Sequence, residues 1–338
     1  MNKKTPIDRL RESAFQMEIG AEDDRSAITA MLSIGDILYT VKEHGIYAVK
    51  LADTIDPERQ NPHIPNTQQR VLAYGSESEL VGRTLLTAKN LFNKTYLPPT
   101  FDCEQAIIKS FDALKDIVAM HEVMEAFQLA ERAEIETFNN HQQSHGALIM
   151  PAIGDVLVRC KTFWQKADHA SQSLFGIAKL FYGKDVGAEG FESLAKLAEK
   201  KYGKNDPFSK FASDVAPKFK YIRNIRNCLE HPHPPTQVAI VSDFNLGADG
   251  KVSPPMIEAV YRSERYSSIP ISWFMTNAVA GLSEIFENML AYLCSKHVQN
   301  IGGFSVQVME LSSDRRSDNK HVRFCYGILI NGQIEPIG

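Results

Sequence analysis

The fold is organised around the stretch Phe219-Lys-Tyr-Ile-Arg-Asn-Ile-Arg-Asn-Cys-Leu-Glu-His-Pro-His-Pro-Pro235. Within it, Ile222, Ile225 and Leu229 recur at spacings of three and four residues, which is the period of one face of an α-helix. Pro232 disfavours helical backbone in the residue before it, so the helix is expected to end at His231. The stretch therefore predicts a half-buried helix with a histidine at its end.

Arg226, Asn227 and His231 are the candidate catalytic residues of this stretch. Residues five apart on a regular helix are separated by about 140° around the axis, but a helix that breaks at His231 can bring an imidazole and a long arginine to one anion. Arginine is always charged and offers a fork that fits phosphate oxygens, and histidine exchanges protons near neutral pH. The combination favours phosphodiester chemistry without a metal.

Spacing by itself is a weak signal for such a site. Arg316-Ser-Asp-Asn-Lys-His321 has the same spacing, yet it lies in a polar connection between two strand-like segments. The alternative interpretation of Arg226 and His231 is a helix end at which cationic side chains lie near the last carbonyls and stabilise them. What favours the functional interpretation is the combination of an apolar helical run, an asparagine after the arginine and a proline after the histidine.

The segment from Arg226 to His231 resembles the motif of the HEPN family of helical domains. Ribonuclease members of that family carry an arginine, usually a neighbouring polar residue, and a histidine separated from the arginine by four to six residues. His231 fits with four intervening residues and His233 with six. The resemblance implies a mainly α fold, a HEPN-like helical bundle, and a metal-independent endoribonuclease that leaves a 2′,3′-cyclic phosphate.

The resemblance also implies roles for single residues. His231 would act as general acid or base, Arg226 would hold the scissile phosphate, and Asn227 would position the phosphate or orient the histidine. His233 is a second-rank candidate as a substitute base, and Glu230 as a partner that fixes the imidazole. Families of this kind commonly act as symmetric homodimers in toxin or phage-defence systems, which implies RNA as substrate and a neutralising or regulatory protein as a possible partner.

The charge distribution is consistent with a local RNA site. A net charge of −4 and a pI near 6.2 exclude a generally basic nucleic-acid coat protein. From Lys196 to Arg226, however, nine Lys or Arg stand against three acidic residues. Lys218, Lys220 and Arg223 in this stretch are the candidate RNA-binding residues. A solvated lysine-rich face is the alternative interpretation.

Two other classes of site receive no support from the sequence. The segment His121-Glu-Val-Met-Glu125 resembles a zinc-protease helix, but glutamate replaces the second histidine. The five cysteines show no Cys-x-x-Cys spacing. No metal and no cofactor is expected. The rival to the ribonuclease is a non-catalytic helical module that binds a nucleotide, RNA or a protein partner.

The predicted organisation is an α+β segment at 1–100 of unknown role, a HEPN-like helical domain at 101–300, and a β segment at 301–338. The helical domain contains a β-hairpin insertion at about 236–264. Long helices are predicted at 102–138, 151–181 and 272–297, a shorter one at 190–202, and one that starts at 205–207 and is kinked or broken at Pro217. Strands are predicted at 36–51, as a hairpin, and at 304–311, 321–330 and 334–337, with a turn at Asn331-Gly332.

The expected location is the cytoplasm. The first residues are followed by no apolar segment of signal-peptide length, and no run approaches about 20 uninterrupted apolar residues. No membrane partner is therefore expected.

Overall fold

The computed structural model describes residues 5–13, 17–20, 24–140, 147–316, 319–330 and 333–337. About 50% of the chain is helical and 21% is strand in small antiparallel sheets, so the predicted mainly α class is confirmed. Contacts divide the chain into two compact units, Met1–Ile108 with Val298–Gly338, and Lys109–His297. The predicted segments 1–100 and 301–338 thus fall in the same unit. Within the described ranges, every helix is too short or too polar to span a lipid bilayer.

The secondary structure alternates between strand-rich and helix-rich stretches. The helices are α1 (Pro6–Arg11), α2 (Ala52–Ile55), α3 (Glu79–Val81), which continues through a π-helical turn (Gly82–Leu86) into α4 (Thr87–Leu91), α5 (Cys103–Asn140), α6 (Val156–Tyr182), α7 (Phe191–Tyr202), α8 (Pro207–Glu230) and α9 (Ile271–His297). The strands are β1 (Ile28–Ile34), β2 (Ile37–Lys42), β3 (Ile46–Lys50), β4 (Thr67–Leu72), β5 (Gln237–Ser242), β6 (Asn245–Leu246), β7 (Val252–Ser253), β8 (Met256–Tyr261), β9 (Glu264–Pro270), β10 (Val306–Glu310), β11 (Phe324–Ile330) and β12 (Gln333–Ile337). The predicted turn at Asn331-Gly332 lies outside the described residues.

The start of α6 corrects the sequence prediction, which placed it at about Pro151. Gly154 and Asp155 have φ values of 69° and 46°, so the chain turns through left-handed backbone immediately before Val156. The backbone N–H groups of Ile153 and Gly154 both donate to the carboxylate of Asp243, at 3.0 and 3.2 Å. These bonds hold the segment outside the helix.

The unit formed by 1–108 and 298–338 is built on two antiparallel sheets. Strands β1 to β4 form one sheet in sequence order, and the predicted hairpin is its β2–β3 pair. Strands β10, β11 and β12 form the other sheet. The phenol of Tyr326 on β11 donates to the carbonyl of Leu91 at 2.6 Å, and the side chain of Asn90 donates to the carbonyl of Phe324 at 3.2 Å. These bonds fasten α4 to the second sheet.

The unit formed by 109–297 is mainly helical. Helix α6 packs against α8 and α9, and its buried Trp164 stacks on Phe274 of α9 with ring centroids 4.1 Å apart. The insertion after α8 is larger than the predicted hairpin, because β9 adds a third strand to the β5–β8 pair. This sheet packs on α8 through β5 and β8. Helix α8, which carries the candidate residues, is thus supported from two sides.

His297, the last residue of α9, gives this helical unit a pH-dependent stability. Its ring lies 4.8 Å from the ring of Phe181 and 5.0 Å from that of Tyr182, and its Nδ1 is bonded to the carbonyl of Leu293 at 2.8 Å. Burial lowers the pKa of His297 below its ordinary value of 6.5. The unfolded chain therefore takes up the proton more readily than the folded protein does.

The neutral His297 ring therefore contributes its full stabilisation of the folded protein above pH 6.5. This contribution decreases as the pH falls below that value. In His297→Gln, the free energy of unfolding is expected to vary less between about pH 7.5 and about pH 5.5 than in the parent chain. Urea titrations across this range measure the difference. His44→Gln is the matched control because that ring is exposed. An unchanged slope in His297→Gln would contradict the prediction.

Candidate functional site

Helix α8 begins with strong local signals. The carboxylate of Asp206 caps it by accepting the backbone N–H of Phe208 at 2.9 Å and of Ser209 at 3.4 Å, and Pro207 occupies the first turn. The other Asp206 oxygen pairs with Lys296 on α9. The helix then runs without interruption through Pro217 to Glu230, so of the two predicted alternatives at this proline, a kink or a break, the break does not occur.

The end of α8 is fixed by a glutamine from the following strand. His231 has φ −131° and ψ 61°, which takes the chain out of the helix, as predicted from Pro232. The side-chain amide of Gln237 donates to the carbonyl of Asn227 at 3.1 Å and also to the carbonyl of His231. The Asn227 carbonyl also accepts the backbone N–H of His231 at 2.9 Å, and the His231 carbonyl lies just past the last helical turn. Gln237 therefore ties the candidate residues to the start of β5.

Arg226 is held from one side and open on the other. Its Nη1 donates to Oδ1 of Asn227 at 3.0 Å, and its Nε lies 3.8 Å from Oδ2 of Asp168 on α6. The Arg226 side chain remains 27% exposed, whereas that of Asp168 is only 9% exposed. Gln172, one turn further along α6, donates to the same Asp168 oxygen at 2.7 Å. The guanidinium is therefore oriented by neighbours and still reachable by an anion.

Asp168 is a site residue that the sequence analysis missed. It lies on the face of α6 that also carries Trp164, Ser171 and Phe175, at spacings of three and four residues. A carboxylate among largely buried positions of a helix is uncommon unless it is paired, and this was the available signal. The partner could not be read from the sequence because Arg226 is 58 positions away on another helix.

His231 is exposed, as are its neighbours to Pro235. Neither a hydrogen bond nor an ion pair joins its ring to Arg226, Glu230 or any other described residue. His233 lies in the turn, where its backbone exchanges hydrogen bonds with Gln237 at 2.6 and 2.9 Å. The convergence of Arg226 and His231 on one anion therefore remains a prediction. The exposed imidazole is free to meet a ligand.

The three candidate RNA-binding cations have different surroundings. Lys218 is exposed. Lys220 forms an ion pair with Glu264 of β9, and this hydrogen bond raises the pKa of Lys220 and lowers that of Glu264. Arg223 lies 3.8 Å from a carboxylate oxygen of Glu192 at the start of α7. An RNA phosphate would compete with a carboxylate at two of the three positions.

A buried polar network fixes the middle of the candidate stretch to the inserted sheet. Asn224 is 1% exposed, and its amide donates to Oε2 of Glu264 at 3.2 Å and to the hydroxyl of Tyr266 at 2.7 Å. The Tyr266 hydroxyl donates in turn to Glu264 at 2.6 Å, and burial is the main reason that the pKa of Tyr266 rises to about 12. Because these groups are hydrogen-bond partners of one another, the network aligns α8 on β9.

Cys228, between Asn227 and His231, is a structural residue. Its thiol is buried and donates to the carbonyl of Val260 on β8 at 3.2 Å. Burial raises the pKa of the Cys228 thiol, so it stays protonated and is a poor nucleophile. Among the described residues, no group of three or more His, Cys, Asp or Glu side chains is arranged to hold a metal ion.

Comparisons with known proteins identify no relative of this chain. No protein-family model, no curated protein and no solved structure matches the chain. Function is therefore argued from the geometry of the site itself.

Proposed function

We propose that this protein is a metal-independent endoribonuclease of HEPN type, acting through Arg226 and His231. The observation that carries the proposal is the end of α8, where an oriented, partly open guanidinium is followed five residues later by an exposed imidazole. A guanidinium stabilises the negative charge that develops on a phosphate during cleavage. An imidazole can move a proton at neutral pH.

In the proposed reaction, the 2′-oxygen of the RNA forms a bond to the adjacent phosphorus while the bond from phosphorus to the 5′-oxygen breaks. His231 takes the 2′-hydroxyl proton or supplies a proton to the leaving 5′-oxygen. Arg226 holds the non-bridging oxygens, and Asn227 keeps the guanidinium in place through its 3.0 Å hydrogen bond. The products are a 2′,3′-cyclic phosphate and a 5′-hydroxyl.

A symmetric homodimer would complete this machinery. One chain supplies one Arg226 and one His231, whereas the reaction needs both a proton acceptor and a proton donor. A second copy that brings its own motif to the same phosphate would provide both. This arrangement follows from the HEPN resemblance, as do a toxin or phage-defence role and control by a neutralising protein.

A second candidate function is a non-catalytic module that binds a nucleotide, RNA or a protein partner. The contact between Arg226 and Asp168 favours it, because an arginine beside a buried carboxylate also has a structural role. The His231 ring has no side-chain partner among the described residues, and this observation does not distinguish the two functions.

The test is incubation of the purified full-length protein with end-labelled RNAs of mixed sequence in excess EDTA. We expect internal cleavage with 2′,3′-cyclic phosphate ends. Cleavage that disappears in EDTA, or products with 3′-hydroxyl ends, would contradict the proposal. A folded protein that binds RNA without cutting it would favour the binding module.

A further inference from the structure

A groove adjoins the candidate site within the helical unit. It has a volume of about 300 Å³ and lies between α6, the start of α7 and α8. Its apolar wall contains Phe191 stacked on Phe219, with ring centroids 3.7 Å apart, and the half-buried Phe175 at 5.4 Å from Phe191. Asp168 and Gln172 line the same groove, so it reaches the carboxylate that orients Arg226.

Two hydrogen-bonded side chains, Asp168 and Gln172, each bring an acceptor oxygen to this groove. Oδ2 of Asp168 accepts a hydrogen bond from Gln172 and lies 3.8 Å from Nε of Arg226, and Oδ1 accepts no hydrogen bond from the described residues. Gln172 donates its amide N–H to Oδ2 of Asp168, which leaves its own carbonyl oxygen as a second acceptor in the same groove. A carboxylate oxygen that lines a groove and has no donor among the described residues can accept a hydrogen bond from a ligand.

Cationic side chains line the groove together with the carboxylates of Glu189 and Glu192. Arg223 and Lys220 extend from α8, and Lys179 extends from α6 with its Nζ 4.9 Å from the centre of the Phe175 ring. Arg223 is 44% exposed while contacting Glu192, so its guanidinium is accessible from solvent. The groove thus combines an aromatic wall, two acceptors and a solvent-accessible arginine, which are features that bind a base together with its phosphate.

We propose that this groove binds a guanine nucleotide, and that in the RNA substrate it receives the base next to the scissile phosphate. Guanine is the RNA base whose pairing edge presents two adjacent N–H donors, N1–H and N2–H, and these match Asp168 Oδ1 and the Gln172 carbonyl. Its ring lies against Phe175, and Arg223 meets a phosphate. The second part of this inference rests on the proposed function; the binding of guanine does not.

The experiment measures the binding of GMP, AMP, CMP and UMP to the full-length His231→Ala protein, which leaves the groove intact, by ligand-observed NMR titration. GMP is expected to bind at least about tenfold more tightly than the other three, a difference of about 1.4 kcal/mol. Inosine monophosphate, which lacks the N2 amino group, is expected to lose most of this advantage.

Matched variants locate the binding. Gln172→Lys places an ammonium beside Asp168 and removes both acceptors, so the preference for GMP should be lost. Gln165→Lys makes the same change at an exposed position of α6 outside the groove and should leave it intact. Arg223→Ala should weaken the binding of GMP more than it weakens the binding of guanosine. Equal affinity for the four nucleotides, or equal effects of the two lysine variants, would overturn the inference.

The outcomes also separate this inference from the proposed function. If the protein binds GMP but cuts no RNA, the proposal for the groove is supported and the proposed ribonuclease activity is contradicted. If the protein cuts RNA with no preference for guanine and does not bind GMP, the ribonuclease activity is supported and the proposal for the groove is contradicted.

Discussion

His231→Ala is expected to lower the rate of RNA cleavage by about 10²- to 10⁴-fold, which is the usual contribution of a positioned general acid or base. An imidazole suits general acid or base catalysis, whereas burial raises the pKa of the Cys228 thiol and makes it a poor candidate for this role. Single-turnover cleavage of an end-labelled RNA in EDTA measures the effect. The free energy of unfolding should change by less than about 0.5 kcal/mol, because the His231 side chain is exposed.

The chain provides its own control for this experiment. His321 follows Arg316 at the same spacing, but its ring is bonded to the backbone carbonyl of Glu77, and Arg316 donates to the carbonyl of Leu311. His321→Ala should therefore cut RNA at the parent rate. If His231→Ala kept more than a tenth of the activity, or if His321→Ala lost as much, the assignment of His231 would be wrong.

Arg226→Lys is expected to lower the cleavage rate by about 10²- to 10³-fold, comparable to the removal of one donor that stabilises a developing anion. Lysine keeps the positive charge beside Asp168 and so preserves the neighbourhood of that buried carboxylate. It lacks the planar fork that reaches Asn227 with one arm and a phosphate with another. Cleavage rates at saturating RNA measure the loss, and the expected change lies in the rate more than in the apparent affinity.

Two further variants separate a catalytic from a structural role of Arg226. Arg265→Lys changes an exposed arginine of β9 in the same unit and should have no effect on cleavage. Arg226→Ala should in addition reduce the free energy of unfolding by about 1–3 kcal/mol, because it leaves the Asp168 carboxylate without a cation. If Arg226→Lys cleaved RNA like the parent chain while Arg226→Ala unfolded, the arginine would be structural.

Most of the helices were predictable because their signals are local. The cap at Asp206 and Pro207, the stop at Gly183 and the apolar periods of α5 and α9 are all contained in a few neighbouring residues. Strand β4 was missed for the opposite reason. It is an edge strand whose first four residues are exposed, so it carries almost no apolar alternation. Its existence depends on pairing with β3.

The candidate site was predictable only in part. The end of α8 at His231 follows from Pro232, a local effect. The environment of Arg226 does not, because Asp168 comes from another helix and Gln237 acts through its side chain from the next strand. Pro217 also shows the limit of local rules. A proline weakens an isolated helix, but the burial of Val215, Ala216 and Phe219 around it favours one continuous helix.

The bonds from Gln237 to the last turn of α8 have a consequence for altering this chain. The spacing between His231 and Gln237 is fixed from both ends, since Gln237 also pairs with Tyr261 in the β5–β8 register. A residue added inside this short connection would either break the amide contacts or slip the strand by one position and turn every side chain to the opposite face. The tip at 247–250, beyond the small β6–β7 pair, carries no such coupling. It is the place where a fluorophore or an affinity tag can be spliced into the chain without disturbing the helix end.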